Sequence, residues 1–248
     1  RLNIDDLVRG LSNLSLEEIS MTTNGTLLAK YVEDLKEAGL DRVNISLDTL
    51  DKNKYKKISR RDRFDDVLAG IDQALNLDLR PVKLNVVMMK GINDDEILDF
   101  ISLSRDREIH VRFIEYMPFS NEFFNGAEYM SMDEVKELVK SKYELRKTNI
   151  RGNGPAKYYK IPDSKGSIGF ITPISDHFCY KCNRLRLTAD GKIRPCLIKD
   201  LEIDLGNELS EQIISDKFRE ALRKKPIAHN LKINDNMQIM RNMFEIGG

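Results

Sequence analysis

The 248-residue sequence has no net charge and no long apolar segment, and each absence excludes a class of protein. Its 40 basic and 40 acidic residues balance, which argues against a broad nucleic-acid-binding face but leaves room for a local arginine cluster. No apolar stretch approaches the roughly 20 residues that cross a bilayer, and no signal-peptide pattern opens the chain. We therefore expect a cytoplasmic protein with no nucleic-acid or membrane partner.

Cysteine is scarce as well. Only Cys179, Cys182 and Cys196 occur, and an odd number without a secretory signal disfavours a disulfide framework. Internal repeats and low-complexity tracts are also absent. With 41% hydrophobic residues, the chain can bury a core of one large domain or two small ones.

The first half alternates short strand-like runs with helical runs, a pattern typical of βα units around a parallel sheet. Helical spacing of apolar residues predicts the helices. Residues 52–59 lack that spacing, so we predict neither a helix nor a strand there. The predicted strands are 19–23, 42–47, 82–89 and 110–117, and the predicted helices are 27–38, 64–75 and 95–104.

Apolar and polar residues alternate along the second and third strands. In the second, Val43 and Ile45 share one face, while Asn44 and Ser46 share the other. One face therefore packs on helices and the other presents polar groups, as in a barrel or half-barrel with a ligand-holding lumen. An edge strand with a solvated face is the alternative interpretation.

The second half has a different pattern. Ser131 and Glu134 form a capping box before a helix over 135–142, and a final amphipathic helix spans 210–223. Turn residues separate short strands that we predict to form two hairpins, 157–161 with 167–172 and 185–188 with 192–196.

The three cysteines have the spacing of metal ligands. Two come from one turn, Cys179 and Cys182, and the hairpin returns Cys196 to them. A [4Fe–4S] cluster held by three cysteines leaves one iron free to bind a substrate atom. A zinc site with His177 as fourth ligand and three unrelated buried thiols are the alternatives.

Two arginines follow the second cysteine directly. On a strand, Arg184 and Arg186 share one face. Because guanidinium groups bind phosphate oxygens bidentately, the pair indicates a polyphosphate or another anion beside the open metal. A solvated strand face is the competing explanation.

The cysteine segment, which we define as Phe178 to Cys196, resembles that of the GTP 3′,8-cyclase family, radical S-adenosylmethionine enzymes that begin molybdenum cofactor biosynthesis. Further matching segments, in order and approximate spacing, cover essentially the whole chain: Thr22-Thr-Asn-Gly25, Arg42-Val-Asn-Ile-Ser-Leu-Asp48, Lys90-Gly-Ile-Asn-Asp-Asp95, Val111-Arg-Phe-Ile-Glu-Tyr-Met117, Ala156-Lys-Tyr-Tyr159 and the terminal Gly247-Gly248.

The resemblance implies an α/β fold. Residues 1–120 would form the remaining portion of a partial (β/α) radical S-adenosylmethionine barrel, and residues 121–248 a carboxy-terminal [4Fe–4S] and GTP-binding domain. The implied reaction is radical cyclisation of GTP to (8S)-3′,8-cyclo-7,8-dihydroguanosine 5′-triphosphate. The terminal glycine pair resembles a tail that family members insert toward the active site, although fraying at a chain end is the alternative.

The resemblance also assigns site residues. Ser46 and Met117 would contact S-adenosylmethionine, although alternation along the fourth strand puts Arg112 and Met117 on opposite faces. The implied ligands of the substrate-binding [4Fe–4S] cluster are Cys179, Cys182 and Cys196. The implied GTP contacts are Thr22, Lys83, Arg112, Arg184 and Arg186.

The chain departs from the family pattern at one place. It has no Cys-x3-Cys-x2-Cys loop, which in the family binds the cluster that reduces S-adenosylmethionine, and no Gly-Gly-Glu-Pro segment. We therefore expect a fragment that lacks the first two βα units and this second [4Fe–4S] cluster, is inactive alone and carries no assigned catalytic residue. A noncatalytic nucleotide-binding iron–sulfur module and a radical enzyme with another substrate are the alternatives. The sequence does not determine the oligomeric state, and a homodimer is one alternative.

Overall fold

The structure is a computed structural model that describes residues 3–117 and 128–231. Helices and strands alternate in its first part, as the sequence predicts. In chain order these are α1 (Ile4–Ser12), β1 (Ser20–Thr23), α2 (Leu28–Glu37), β2 (Arg42–Ser46), α3 (Lys52–Ser59), α4 (Phe64–Asn76), β3 (Val82–Met88), α5 (Ile97–Asp106) and β4 (Ile109–Glu115).

The second part contains shorter strands between two helices. Two 3₁₀ turns complete the list of elements, at Asp94–Glu96 and Cys179–Lys181. The remaining elements are α6 (Met132–Lys140), β5 (Arg146–Thr148), β6 (Lys157–Lys160), β7 (Ser167–Ile171), β8 (Arg186–Leu187), β9 (Lys192–Arg194), β10 (Ile203–Asp204) and α7 (Glu211–Lys224).

The main sheet has seven strands in the order β1-β2-β3-β4-β7-β6-β5. The first five strands in that order run parallel, and β6 and β5 add antiparallel neighbours. The parallel sheet confirms the predicted α/β class. Among the described residues the sheet stays open and no closed barrel forms. The predicted hairpin of β6 with β7 is present, but β7 also extends the parallel sheet beside β4.

One face of this sheet forms the hydrophobic core. Val43, Ile45, Leu84, Val86 and Phe113 are fully buried on it. Each such side chain contributes roughly 1.5–3 kcal/mol by leaving water. The face opposite these residues carries the polar side chains, as the alternation along β2 and β3 predicts.

Several element boundaries differ from the predictions for local reasons. Residues 52–59 form the helix α3, although Tyr55 is its only buried residue. The Asp51 side chain stabilises the first turn of this helix by accepting a hydrogen bond from the Lys54 N–H at 2.7 Å. The predicted helix over 95–104 begins instead as a 3₁₀ turn, and α5 starts at Ile97. The capping box at Ser131 is present.

The described residues fall into two compact units, residues 3–116 with 128–172, and Met117 with 173–231. The second unit contains the antiparallel sheet β10-β9-β8, whose predicted β8–β9 hairpin is present, and α7. The predicted domain boundary between residues 120 and 121 and the terminal Gly247-Gly248 lie outside the described residues and stay predictions. None of the helices within the described ranges has the length and apolarity needed to cross a membrane.

Gly166 allows the close approach of β7 to β4. A Cβ at Gly166 would lie 1.8 Å from the carbonyl oxygen of Ile109, so a larger residue must displace backbone. We expect Gly166→Ala to lower the free energy of unfolding by about 1–3 kcal/mol, measured by urea denaturation. Gly10→Ala is the control, because a Cβ at Gly10 meets no atom within 4 Å. Equal effects of the two substitutions would contradict this account.

Candidate functional site

The polar face of the main sheet gathers several of the predicted site residues. Strand register forms one row across β1, β2, β3, β4 and β7 that consists of Thr22, Asn44, Lys83, His110 and Ser167. The next row toward the carboxyl ends of the strands consists of Ser46, Asn85, Arg112 and Gly169. The first unit thus brings Thr22, Ser46, Lys83 and Arg112 onto one surface of one sheet.

A buried basic cluster occupies this face. We define it as Arg42, Lys83 and Arg112, of which Lys83 is 2% exposed and Arg42 and Arg112 are each 7% exposed. The Glu18 carboxylate joins this cluster to the exposed side chain of Arg151, at 2.6 Å from Arg42 Nη2 and 3.0 Å from Arg151 Nε. The Lys83 ammonium donates a hydrogen bond to the backbone carbonyl of Arg151. Cations held this closely together in a desolvated place favour the binding of an anion.

The surroundings change the ionisation of the cluster. Burial lowers the pKa of Lys83 to about 7, and the neighbouring charges of Arg42 and Arg112 act in the same direction. Burial also lowers the pKa of His110 to about 4, so this ring is neutral at pH 7 and its Nδ1 lies 2.8 Å from Ser167 Oγ. The hydrogen bond from Arg42 lowers the pKa of Glu18, which stays ionised.

A loop after residue 150 covers the basic cluster. Gly152 has a φ of +118°, and a Cβ there would lie 2.8 Å from Arg42 Nη2 and 3.0 Å from Lys83 Nζ. Tyr158 follows this loop, is hydrogen-bonded to Arg112, and has its ring centroid 5.8 Å from Lys83 Nζ. Sequence reasoning did not assign Arg42, Arg151 or Tyr158 to the site. Of these three, only Arg42 could have been found from the sequence, because strand alternation places it on the polar face of β2.

The carboxyl end of β2 carries a second group of polar atoms. Ser46 is exposed there, and its register partner Asn85 has a buried side-chain oxygen, Oδ1, that accepts no hydrogen bond. Burial raises the pKa of Asp48 to about 6, against the effect of its hydrogen bond from the Val87 N–H at 2.8 Å. An unused buried acceptor beside an exposed hydroxyl fits a ligand that donates hydrogen bonds, such as a ribose.

Met117 lies beyond the strand that was predicted to contain it. Because β4 ends at Glu115, strand alternation does not set the direction of the Met117 side chain. The conflict between Met117 and Arg112 that periodicity suggested therefore does not arise. Met117 is half-buried.

The second unit holds the cysteine segment. A 3₁₀ turn links the first two cysteines, with the Cys182 N–H donating to the Cys179 carbonyl at 3.0 Å, and Cys196 follows β9. All three are half-buried thiols without a disulfide. In the part of the chain that the structure describes, no three His, Cys, Asp or Glu side chains lie close enough to hold a metal ion. The ring of His177 packs against His229 instead, at 5.2 Å between centroids.

The charges around Cys182 favour its thiolate. Burial alone would raise the pKa of Cys182, but the hydrogen bond from the Arg184 N–H and the charges of Lys225 and Arg184 hold the pKa below its usual value. Burial lowers the pKa of Arg186, whose charge is stabilised by Cys182 and Cys196. Cysteine sulfur is the donor type of an iron–sulfur site, and the segment holds three such sulfurs.

Comparison with known proteins gives the family of the chain. The sequence profile of the radical SAM superfamily matches residues 1–104, and the profile described as Molybdenum Cofactor Synthesis C matches residues 109–231. A GTP 3′,8-cyclase of Petrotoga mobilis is 48% identical over 253 residues, covering 100% of this chain and 78% of that protein. The chain belongs to the GTP 3′,8-cyclase family.

Other members of the GTP 3′,8-cyclase family are similarly close. The proteins of Moorella thermoacetica and Listeria monocytogenes are 47% and 44% identical, and each comparison covers 100% of this chain and 78% of the relative. A solved structure of TYW1 with a lysine–pyruvate adduct bound matches 60% of this chain and 49% of that one, at 19% identity and a TM-score of 0.43.

Membership of the GTP 3′,8-cyclase family confirms the resemblance seen in the sequence. It makes the chain a radical S-adenosylmethionine lyase of molybdenum cofactor biosynthesis. The superfamily implies S-adenosylmethionine and a [4Fe–4S] cluster as cofactors. Apart from Met117, the predicted site residues lie on the polar face of the main sheet and in the cysteine segment.

Anion binding to the basic cluster should depend on pH. Because Lys83 has a pKa of about 7 in the free protein, an anion that needs its charge must bind together with a proton. We expect the affinity for inorganic triphosphate to fall by up to about tenfold per pH unit between pH 7.5 and 9. Calorimetry in buffers of different ionisation enthalpy measures the proton uptake.

Lys83→Arg should abolish that uptake, because arginine stays charged throughout this range. The exposed Lys57→Arg on α3 is the matched control and should leave the uptake unchanged. Binding that is independent of pH in the unsubstituted chain would contradict the assignment.

Proposed function

We propose that the chain binds GTP for its conversion to (8S)-3′,8-cyclo-7,8-dihydroguanosine 5′-triphosphate. The observation that carries the proposal is the buried basic cluster on the polar face of the main sheet, in a chain whose relatives are GTP 3′,8-cyclases. In this chemistry a [4Fe–4S] cluster and S-adenosylmethionine supply the radical that activates the ribose. The protein residues bind and orient the nucleotide.

The basic cluster is suited to a triphosphate. Arg112 offers a planar set of donors that can bind two phosphate oxygens, and Lys83 offers a point charge beside it. Thr22, which accepts a hydrogen bond from the Asn44 amide at 3.3 Å, can donate its own hydroxyl proton to a phosphate oxygen. We propose Thr22, Lys83 and Arg112 as GTP contacts, with Arg42 held in place by Glu18 as a further source of positive charge.

We propose Ser46 and Met117 as contacts of S-adenosylmethionine. The exposed hydroxyl of Ser46 lies at the carboxyl end of a parallel strand, where ligands of α/β proteins bind. The unused Oδ1 of Asn85 in the same row can accept a hydrogen bond from a ribose hydroxyl. That bond would satisfy the acceptor and fix the sugar.

The cysteine segment is the proposed site of the second cofactor. We propose that Cys179, Cys182 and Cys196 bind a [4Fe–4S] cluster that leaves one iron open to substrate. Arg184 and Arg186 are the proposed GTP contacts of this unit. The guanidinium of Arg184 lies 5.2 Å from the ring centroid of Phe178, which restricts its orientation.

The proposal includes the organisation of the protein. We propose a cytoplasmic location and a division into a barrel portion, residues 1–120, and a cluster domain, residues 121–248. A homodimer is the proposed assembly, and analytical ultracentrifugation of the purified chain tests it. A monomer at all concentrations would contradict it.

GTP affinity tests the arginine assignments. With the anaerobically reconstituted full chain, Arg186→Ala should weaken GTP binding by about 10–100-fold in calorimetry, because a charge-assisted hydrogen bond contributes roughly 1.5–3 kcal/mol. Arg219→Ala on α7 is the control, since Arg219 is exposed and pairs only weakly with Asp216 at 3.5 Å. Unchanged affinity in Arg186→Ala, or equal affinity for GTP and ATP in the unsubstituted chain, would count against the proposal.

Metal content tests the cysteine assignment. Anaerobic reconstitution with iron and sulfide should give about four irons per chain for this cluster. Cys179→Ala, Cys182→Ala and Cys196→Ala should each reduce iron and the visible absorbance of the cluster. His177→Ala should leave both unchanged. Stoichiometric zinc without iron would reject the cluster in favour of a zinc site.

A further inference from the structure

Lys225 connects the two halves of the cysteine segment. It follows the last residue of α7, and its ammonium donates hydrogen bonds to the carbonyl oxygens of Arg184 at 2.7 Å and Pro195 at 2.6 Å. These two carbonyls lie 41 and 30 residues away in sequence. One follows Cys182 by two positions and the other directly precedes Cys196.

The charge of the ammonium also acts on the Cys182 sulfur, which accepts a hydrogen bond from the Arg184 N–H. Two of the three donors of the ammonium are committed to carbonyl oxygens of this one segment. An ammonium in this position fixes the separation of two backbone strands and neutralises part of the charge of a thiolate.

The helix that carries Lys225 is itself anchored. Ala221, one turn before Lys225, is fully buried against Ile193 of β9 and Ile203 of β10. The end of α7 therefore has a fixed position relative to the hairpin that precedes Cys196. An ammonium on such a support holds its acceptors more firmly than one on a loop.

A buried cation within the cysteine segment, Arg194, has a different role. The side chain of Arg194 is fully buried and binds Glu202 at 2.6 Å, Asp200 at 3.3 Å and the Lys199 carbonyl at 3.3 Å. It therefore orders the chain after Cys196 by pairing with carboxylates. Lys225 instead pairs with no carboxylate in the ion pairs found among the described residues, and it binds the cysteine segment directly.

We propose that Lys225 is a positioning residue for the three-cysteine iron–sulfur site. Its ammonium holds the chain at Cys182 and the chain at Cys196 in one arrangement and places a positive charge beside the Cys182 sulfur. The inference rests on the proposed cluster and adds a residue that binds no iron itself. It explains why a lysine at a helix end is turned toward a loop and away from solvent.

The test compares two adjacent lysines. Lys225→Met keeps the aliphatic stem and removes the ammonium, whereas Lys224→Met removes an exposed ammonium that pairs with Glu220 at 2.7 Å. In the reconstituted full chain, we expect Lys225→Met to release iron to a chelator about 10–100-fold faster than the unsubstituted chain. Its cluster should also have a more negative reduction potential, because a positive charge near sulfur stabilises the reduced state.

Lys224→Met should match the unsubstituted chain in both measurements, and Lys225→Arg should restore the potential because it keeps the charge and the donors. If Lys225→Met does not fold, Lys225→Gln decides, since the amide keeps donors for the two carbonyls but not the charge. An unchanged potential in that variant overturns the inference.

The outcomes separate this inference from the proposed function. If the unsubstituted chain binds no iron–sulfur cluster, the proposed function loses its cluster and the inference fails with it. If that cluster forms but Lys225→Met has the same release rate and potential, only the inference is overturned. A lower melting temperature with an unchanged potential would identify Lys225 as merely structural and would also overturn it.

Discussion

Positive charge buried on the polar face of the parallel sheet is the constraint on which the first unit depends. Moving an ion out of water costs several kcal/mol after relaxation, and here Arg42, Lys83 and Arg112 are buried side by side. Strand register and alternation place all three side chains on the same face of the sheet. The fold limits the cost by placing the Glu18 carboxylate and the Arg151 carbonyl against the charges, and burial drives part of the Lys83 population to the neutral form.

The second unit also buries a charged side chain, Arg194, but it has a much smaller hydrophobic core. Ile193, Ile203 and Ala221 form its buried apolar cluster among the described residues, too little to specify a long irregular segment. Buried polar contacts do that instead. Arg194 binds two carboxylates and a carbonyl, and Lys225 binds two carbonyls. A small domain built in this way depends on buried polar and ionic contacts for its unique shape.

Strand alternation was enough to predict the polar face, because side-chain direction repeats every two residues along β2 and β3. It could not predict that β7 joins the parallel sheet, since a short apolar strand gives no information about its partner. The helix α3 was missed because its one buried residue, Tyr55, leaves no apolar periodicity.

Cysteine spacing indicated the metal-type segment, yet sulfur positions depend on side-chain geometry that spacing does not fix. Arg151 and Tyr158 reach the site through a fold-level contact about 70 residues from Lys83, which no local pattern encodes.

The partner that Lys83 finds in the loop is a main-chain oxygen, and this has a consequence for sequence change. Any amino acid at position 151 supplies the same carbonyl, so substitutions there leave the acceptor of Lys83 in place and remove only the exposed ion pairs of the Arg151 guanidinium with Glu18 and Asp41. Position 152 is different, because its positive φ and the nearness of Arg42 and Lys83 admit only a residue without Cβ. Tolerance to mutation in this loop should therefore change abruptly between two adjacent residues, with the more permissive one carrying the charged side chain.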